Sequence, residues 1–161
     1  SIVPFLLSSS EKFVPVTNKS MTRFTITLGQ SVDFVIKCLS IMQGGELFVP
    51  KIPSYKLVDL VKAIAPSKKI KLVGIRPGEK IHEEMISLDE SRNTIEFKNL
   101  FVVLPRSLFI KRNFEKKLSK KLGKFLNCKE GFFYRSNENP NFLNPKEIKK
   151  MIEQNTKDIL F

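Results

Sequence analysis

Apolar positions recur along this chain at two spacings, and each predicts a different element. Over residues 28–42, Val32, Val35, Ile36, Leu39 and Met42 fall three and four apart, on one face of a helix. Phe34, Cys38 and Ile41 lie off that stripe, so the helix is expected to be buried on more than one side. Gly44 and Gly45 stop it, and residues 46–49 read as a short buried strand closed by Pro50 and Pro53. A second helix is predicted over 55–65, where Leu57, Leu60, Val61 and Ile64 keep helical spacing until Pro66. In residues 69–75 the period drops to two, predicting a half-exposed strand. Arg76, Pro77, Gly78 and Glu79 are turn chemistry, and one or two helical turns are expected over 79–85. Residues 94–97 and 101–104 read as short strands. After Pro105 the periodicity fades: residues 106–131 are basic and weakly patterned, 132–134 a short strand, and 137–144 an Asn-rich loop. Pro145, followed by Ile148, Met151 and Ile152, opens a final amphipathic helix. Helices interleaved with short strands imply an α/β or α+β class.

Composition narrows the picture. At 161 residues the chain is long enough for one ordinary domain, and a hydrophobic fraction of 42% supports a core. No apolar run reaches the roughly 18 residues that span a bilayer, so no membrane segment is expected. Cys38 and Cys128 form no metal spacing and fit free thiols in a reducing, cytoplasmic compartment. The chain opens at Ser1 inside an apolar stretch with no turn or cap ahead of it, and a truncated polypeptide is expected.

The formal net charge is +12. Its densest run is Lys111, Arg112, Lys116, Lys117, Lys120, Lys121 and Lys124, opposed only by Glu115. A solvated lysine-rich face outweighs a specific nucleic-acid or membrane patch, because lysine offers a point charge where arginine offers a fork. Phe109, Phe114 and Phe125 interleave with this run, which keeps a stand-alone basic binding module open as an alternative.

Candidate chemistry is sparse. His82 is the only histidine, no cluster has metal spacing, and no glycine-rich dinucleotide loop follows a strand. An acidic surface helix is the weightier reading of Glu79, Glu83 and Glu84 around His82. Two arginines stand out instead, Arg23 and Arg76, each read as lying in a turn. The planar guanidinium suits a diphosphate, since it binds two oxygens at once, and a carboxylate three residues on accepts from ribose hydroxyls. A surface ion pair is the competing reading of each.

Four stretches carry a resemblance, in order along about 90 residues. They are residues 21–27 (MTRFTIT), 44–54 (GGELFVPKIPS), 76–85 (RPGEKIHEEM) and 89–92 (DESR). Together they are similar to the polysaccharide-biosynthesis dehydratases, the UDP-N-acetylglucosamine 4,6-dehydratases of the extended short-chain dehydrogenase/reductase kind. Residues 1–5 resemble the segment after that family's substrate loop. Residues 130–143 resemble the tail of the inverting members, whereas 106–128 match poorly. Thr25 stands where an aromatic is common, and Gly29 where an acid is common.

The resemblance implies an α/β fold: the C-terminal part of such an enzyme, comprising the substrate-binding domain without most of the Rossmann domain. Residues 1–105 would be the nucleotide-sugar-binding part and 106–161 a basic extension with a terminal helix. It further implies binding of UDP-N-acetylglucosamine by Ile2, Thr17 and Arg76, with Arg23 and Glu79 carried over from related epimerases as a diphosphate arginine and a ribose-binding acid. No catalytic or metal residue is assigned. NADP would be bound by an N-terminal part that the chain lacks, so the chain alone is expected to be inactive. The whole enzyme is expected to be a homo-oligomer. A retaining dehydratase, a UDP-sugar 4-epimerase and a non-functional gene product remain as alternatives.

Overall fold

A computed structural model describes residues 2–106 and 108–155, with the side chains of 108–113 outside the description. The expectations for Ser1, Phe109, Lys111 and Arg112 therefore lie outside the described residues. In chain order the elements are α1 (Ile2–Ser8), β1 (Phe13–Val16), β2 (Thr22–Phe24), α2 (Leu28–Ile41), β3 (Leu47–Pro50), β4 (Ser54–Lys56), α3 (Leu57–Ile64), β5 (Lys69–Leu72), β6 (Glu84–Ile86), α4 (Leu88–Ser91), β7 (Thr94–Glu96), β8 (Leu100–Val103), α5 (Leu108–Leu122), β9 (Leu126–Asn127), β10 (Tyr134–Arg135) and α6 (Pro145–Gln154). The α/β class is the expected one. Among the described residues, no helix is long and apolar enough to cross a membrane.

Two compact units interleave along the sequence. The first takes the chain up to Gly29, Ile52–Glu83, and Arg135 onward. Its core joins Leu6, Val14, Val16 and Met21 to Leu57, Leu60 and Val61 of α3 and to Ile148 and Ile152 of α6. The predicted spacing in α3 and α6 is what brings these side chains to one face. Asn144 caps α6 by accepting from the N–H groups of Lys146 (2.9 Å) and Glu147 (3.1 Å), while the Glu147 carboxylate takes the Asn144 N–H at 2.8 Å. That reciprocal box, with Pro145 at the first helical position, fixes where α6 starts. Within this unit β1 and β5 pair in parallel, Val16 opposite Leu72. β2 and β4 pair antiparallel, Arg23 opposite Tyr55. The Asn-rich loop is pinned to the start of β4: Asn139 Nδ2 donates to the Ile52 carbonyl (2.7 Å) and to Ser54 Oγ (2.9 Å).

The second unit takes Gln30–Lys51 and Glu84–Tyr134. Its sheet runs in the order β3-β8-β7-β9, and every neighbouring pair is antiparallel. Ile95, Phe97, Leu100, Val102 and Leu104 form a core with Phe114 and Leu118 of α5.

Three expectations are corrected here. Residues 108–122 are helical, where weak patterning was expected: among its described side chains Phe114 and Leu118 are buried and Leu122 packs beside them, and exposed lysines at 116, 117, 120 and 121 dilute that face. In α2 the apolar stripe is exposed, Leu39 at 63% and Ile36 at 61%, whereas Ile41 is buried and Phe34 packs on the core. The minor apolar face of α2 is thus the one its own unit buries. Residues 79–85 make no helical turn. Their backbone groups bond to other segments, as described next, and β6 begins at Glu84.

Candidate functional site

Parallel pairing of β1 and β5 sends both strands out at the same end. The Val73 N–H donates to the Val16 carbonyl at 3.1 Å, which carries the pairing one residue further. Thr17 leaves β1 there, and the segment leading to Arg76 leaves β5 there. Ligand sites on open parallel sheets form beyond the carboxyl ends of strands, so this edge is the natural place for one.

Arg76 to Glu79 is a closed turn. The Glu79 N–H donates to the Arg76 carbonyl at 3.0 Å, and Gly78 takes the positive φ of 79° that a turn of this type needs at its third position. The Glu79 carboxylate reaches back to accept from the Arg76 N–H at 3.2 Å. Glu79 therefore spends one oxygen, Oε2, on its own turn. Arg76 is exposed, and no described carboxylate pairs with its guanidinium.

Arg23 sits on strand β2 rather than in the expected turn, and its guanidinium is anchored. Nη1 donates to the carbonyls of Thr22 (2.8 Å) and Ile81 (3.1 Å), and Nε lies 3.4 Å from Glu83 Oε1. The other oxygen of Glu83 accepts from the Phe24 N–H at 3.2 Å. Nη2 meets the sulfur of Met21 at 3.6 Å. The same sulfur accepts from the Thr17 hydroxyl at 3.0 Å, which brings Thr17 and Arg23 together. Ile2, half-buried at the start of α1, packs against the core that contains Val16 and Met21.

Beneath these residues runs a polar chain. Ser136 and Thr22 are buried, with their hydroxyls 2.7 Å apart. Thr22 Oγ1 lies 2.8 Å from His82 Nδ1, and Ser136 Oγ accepts from the Glu83 N–H at 2.9 Å. One proton order leaves no hydroxyl unpaired: Ser136 donates to Thr22, and Thr22 donates to His82. Backbone bonds add to the tie, from the Thr22 N–H to the Ile81 carbonyl (3.1 Å) and from the Ser136 N–H to the Glu83 carbonyl (2.8 Å). These bonds tie the backbone of residues 81–83 to other segments and explain why the expected helical turns are absent. Tyr55, opposite Arg23, has its phenol pushed up by burial first and by the Glu83 charge second, against the opposing pull of Arg23. Among the described residues no group of three or more His, Cys, Asp and Glu side chains is placed to hold a metal ion.

Ile2, Thr17, Arg23, Arg76 and Glu79 all fall in the first unit, and sequence reasoning did not connect them with Met21, Glu83 or Ser136. Met21 lies inside the MTRFTIT stretch, where its apolar character hid a polar contact. Ser136 pairs across more than 50 residues of chain with Glu83, which no local pattern carries.

Comparison with known proteins gives the following likenesses. The family described as polysaccharide biosynthesis protein matches residues 1–105. A UDP-N-acetylglucosamine 4,6-dehydratase (inverting) from Campylobacter jejuni is 42% identical over 155 residues, covering 94% of this chain and 46% of its own length. A UDP-glucose 4-epimerase from Rickettsia bellii is 31% identical over 107 residues, covering 63% of this chain and 31% of its own. The X-ray structure of Pen from Bacillus thuringiensis superposes with a TM-score of 0.76 at 28% identity, over 96% of this chain and 44% of that one. The chain spans under half the length of the curated relatives it matches. The matched stretch holds all five candidate residues, and the chain belongs to the polysaccharide biosynthesis protein family.

Proposed function

We propose that this chain is the nucleotide-sugar grip of a longer, C5-inverting UDP-N-acetylglucosamine 4,6-dehydratase. The observation that carries the reading is the exposed guanidinium of Arg76, with no carboxylate partner among the described residues, on a closed turn at the carboxyl ends of β1 and β5. A guanidinium held there offers a fork to a diphosphate. Arg23 adds a second, anchored cation, and Glu79 keeps one carboxylate oxygen for a ribose hydroxyl. Thr17 and Ile2 complete the contact set, and residues 1–105 hold all of it. Residues 106–161 add the basic helix α5 and the capped helix α6.

The enzyme as a whole is proposed to use NADP, which supplies hydride chemistry when bound. Among the described residues the glycines at positive φ, Gly44, Gly45, Gly74, Gly78, Gly123 and Gly131, all lie outside helices and strands. Among the described residues none forms a strand, glycine turn and helix of the dinucleotide-binding kind, so the cofactor does not fit this chain and no step is derived through it. The residues present bind and orient the UDP-sugar; the product would be a 4-keto-6-deoxy UDP sugar, an intermediate toward pseudaminic acid for a surface glycan or flagellin glycosylation. A cytoplasmic homo-oligomer is the proposed form of the whole enzyme.

A UDP-sugar 4-epimerase is the second reading, favoured by the Rickettsia similarity. The dehydratase similarity runs through 94% of the chain against 63% for the epimerase, and this supports the dehydratase. The test is incubation of the complete protein with UDP-N-acetylglucosamine and NADP. Formation of a 4-keto-6-deoxy product by the complete protein, and none by the chain alone, is expected. A C4 epimer as product, or turnover by the chain alone, would overturn the reading.

A further inference from the structure

We propose that Glu83 is a positioning residue for phosphate binding, acting through Arg23; this rests on the reading above, in which Arg23 contacts the UDP diphosphate. A guanidinium has five N–H donors in a fixed plane, so fixing some of them aims the rest. In Arg23, Nη1 is spent on the carbonyls of Thr22 and Ile81, and Nε faces Glu83 Oε1 at 3.4 Å. Among the described residues Nη2 has only the Met21 sulfur, a weak acceptor, at 3.6 Å. Glu83 is itself held, because Oε2 takes the Phe24 N–H at 3.2 Å and its own N–H goes to the buried hydroxyl of Ser136 at 2.9 Å. Glu83 therefore bridges β2 and the tail while pinning the guanidinium plane. The arrangement leaves Nη2 as the donor available to a phosphate oxygen, beside the Thr17 hydroxyl that shares the same sulfur. Pre-orientation of this kind raises affinity by lowering the ordering cost of binding.

A stabilising ion pair explains Glu83 less well. Its side chain is 44% exposed, and pairs this exposed contribute little to stability. Charge alone predicts the opposite effect on binding. Glu83 places a negative charge beside an anion site, so its removal would strengthen UDP binding if only the field mattered. Positioning predicts weakening.

The experiment is calorimetric titration of UDP, with uridine as the phosphate-free control, against the complete protein and its Glu83→Ala, Glu83→Gln, Arg23→Ala and Glu83→Ala/Arg23→Ala variants. Glu83→Ala is expected to weaken UDP roughly tenfold, with uridine affinity and melting temperature nearly unchanged. Glu83→Gln, which keeps one acceptor oxygen, is expected to recover part of the loss. The double variant is expected to bind like Arg23→Ala, since Glu83 acts only through Arg23. UDP affinity equal to or tighter than wild type in Glu83→Ala, or additive losses in the double variant, overturns the proposal. Unchanged UDP affinity in Arg23→Ala also overturns it, while leaving the nucleotide-sugar reading standing on Arg76. Absence of UDP binding by the wild-type protein sinks both.

Discussion

Glu79 closes the turn that carries Arg76 from both sides: its N–H donates to the Arg76 carbonyl at 3.0 Å, and its carboxylate accepts from the Arg76 N–H at 3.2 Å. Two hydrogen bonds between one pair of residues fix the base of the Arg76 side chain, and among the described residues no carboxylate pairs with its guanidinium. Such a turn is stiff at the backbone and open at its head, as an anion-binding arginine requires.

Gly78 is the backbone condition for that turn, at φ 79°. No atom lies within 4 Å of a Cβ built there, so Gly78→Ala meets no steric clash and its cost is backbone strain alone. Strain of about 1–2 kcal/mol is expected for a left-handed alanine. The measurement is UDP affinity beside a urea midpoint: affinity should fall by more than the small loss of stability explains. Unchanged affinity would mean that the turn does not position Arg76.

Ser136 ties the tail to both neighbours of the candidate site. Ser136→Ala leaves the buried Thr22 hydroxyl and the Glu83 N–H short of a partner, at a cost of about 1–3 kcal/mol. Equilibrium urea unfolding reads this directly. A loss below about 0.5 kcal/mol, the ordinary scatter of surface substitutions, would mean that the polar chain is not a stabilising element.

The exposed stripe of α2 makes an unusual mutational contrast. Ile36 is 61% exposed and Ile95 1% exposed, both in the second unit. Ile95→Ala is expected to cost about 2–5 kcal/mol, whereas Ile36→Glu in this chain is expected to stay within about 0.5 kcal/mol of neutral and to improve solubility. Urea midpoints of the two variants make the comparison. Comparable destabilisation by both would show that the stripe is packed in solution.

How much of this was legible in the sequence depends on the range of the interactions. Helices α3 and α6 were readable because Leu60, Val61, Ile148 and Ile152 repeat at helical spacing and Pro66 and Pro145 punctuate them. Strands β5, β7 and β8 were readable from alternation and short apolar runs. The stripe on α2 was legible as a stripe but not as exposed, since periodicity reports a face and says nothing of what covers it. α5 was missed because the few apolar positions described on it, Phe114, Leu118 and Leu122, are set in a lysine-rich surround. At the candidate site, the turn chemistry of Arg76 and Glu79 was local and was read correctly. The anchoring of Arg23 depends on Ile81 and Glu83, some 60 residues away, and no pattern near Arg23 records it.

The most direct test of the central claim is titration of UDP-N-acetylglucosamine, and separately of NADP, against the complete protein and its Arg76→Ala and Arg76→Lys variants. A hydrogen bond to a charged group contributes about 1.5–3 kcal/mol, so Arg76→Ala should weaken UDP-sugar binding by roughly tenfold to a hundredfold or more. Arg76→Lys should recover only part of this, since an ammonium keeps the charge and loses the fork. NADP affinity should stay nearly constant across the series. Unchanged UDP-sugar affinity in Arg76→Ala, or an equal loss for both ligands, would contradict the account.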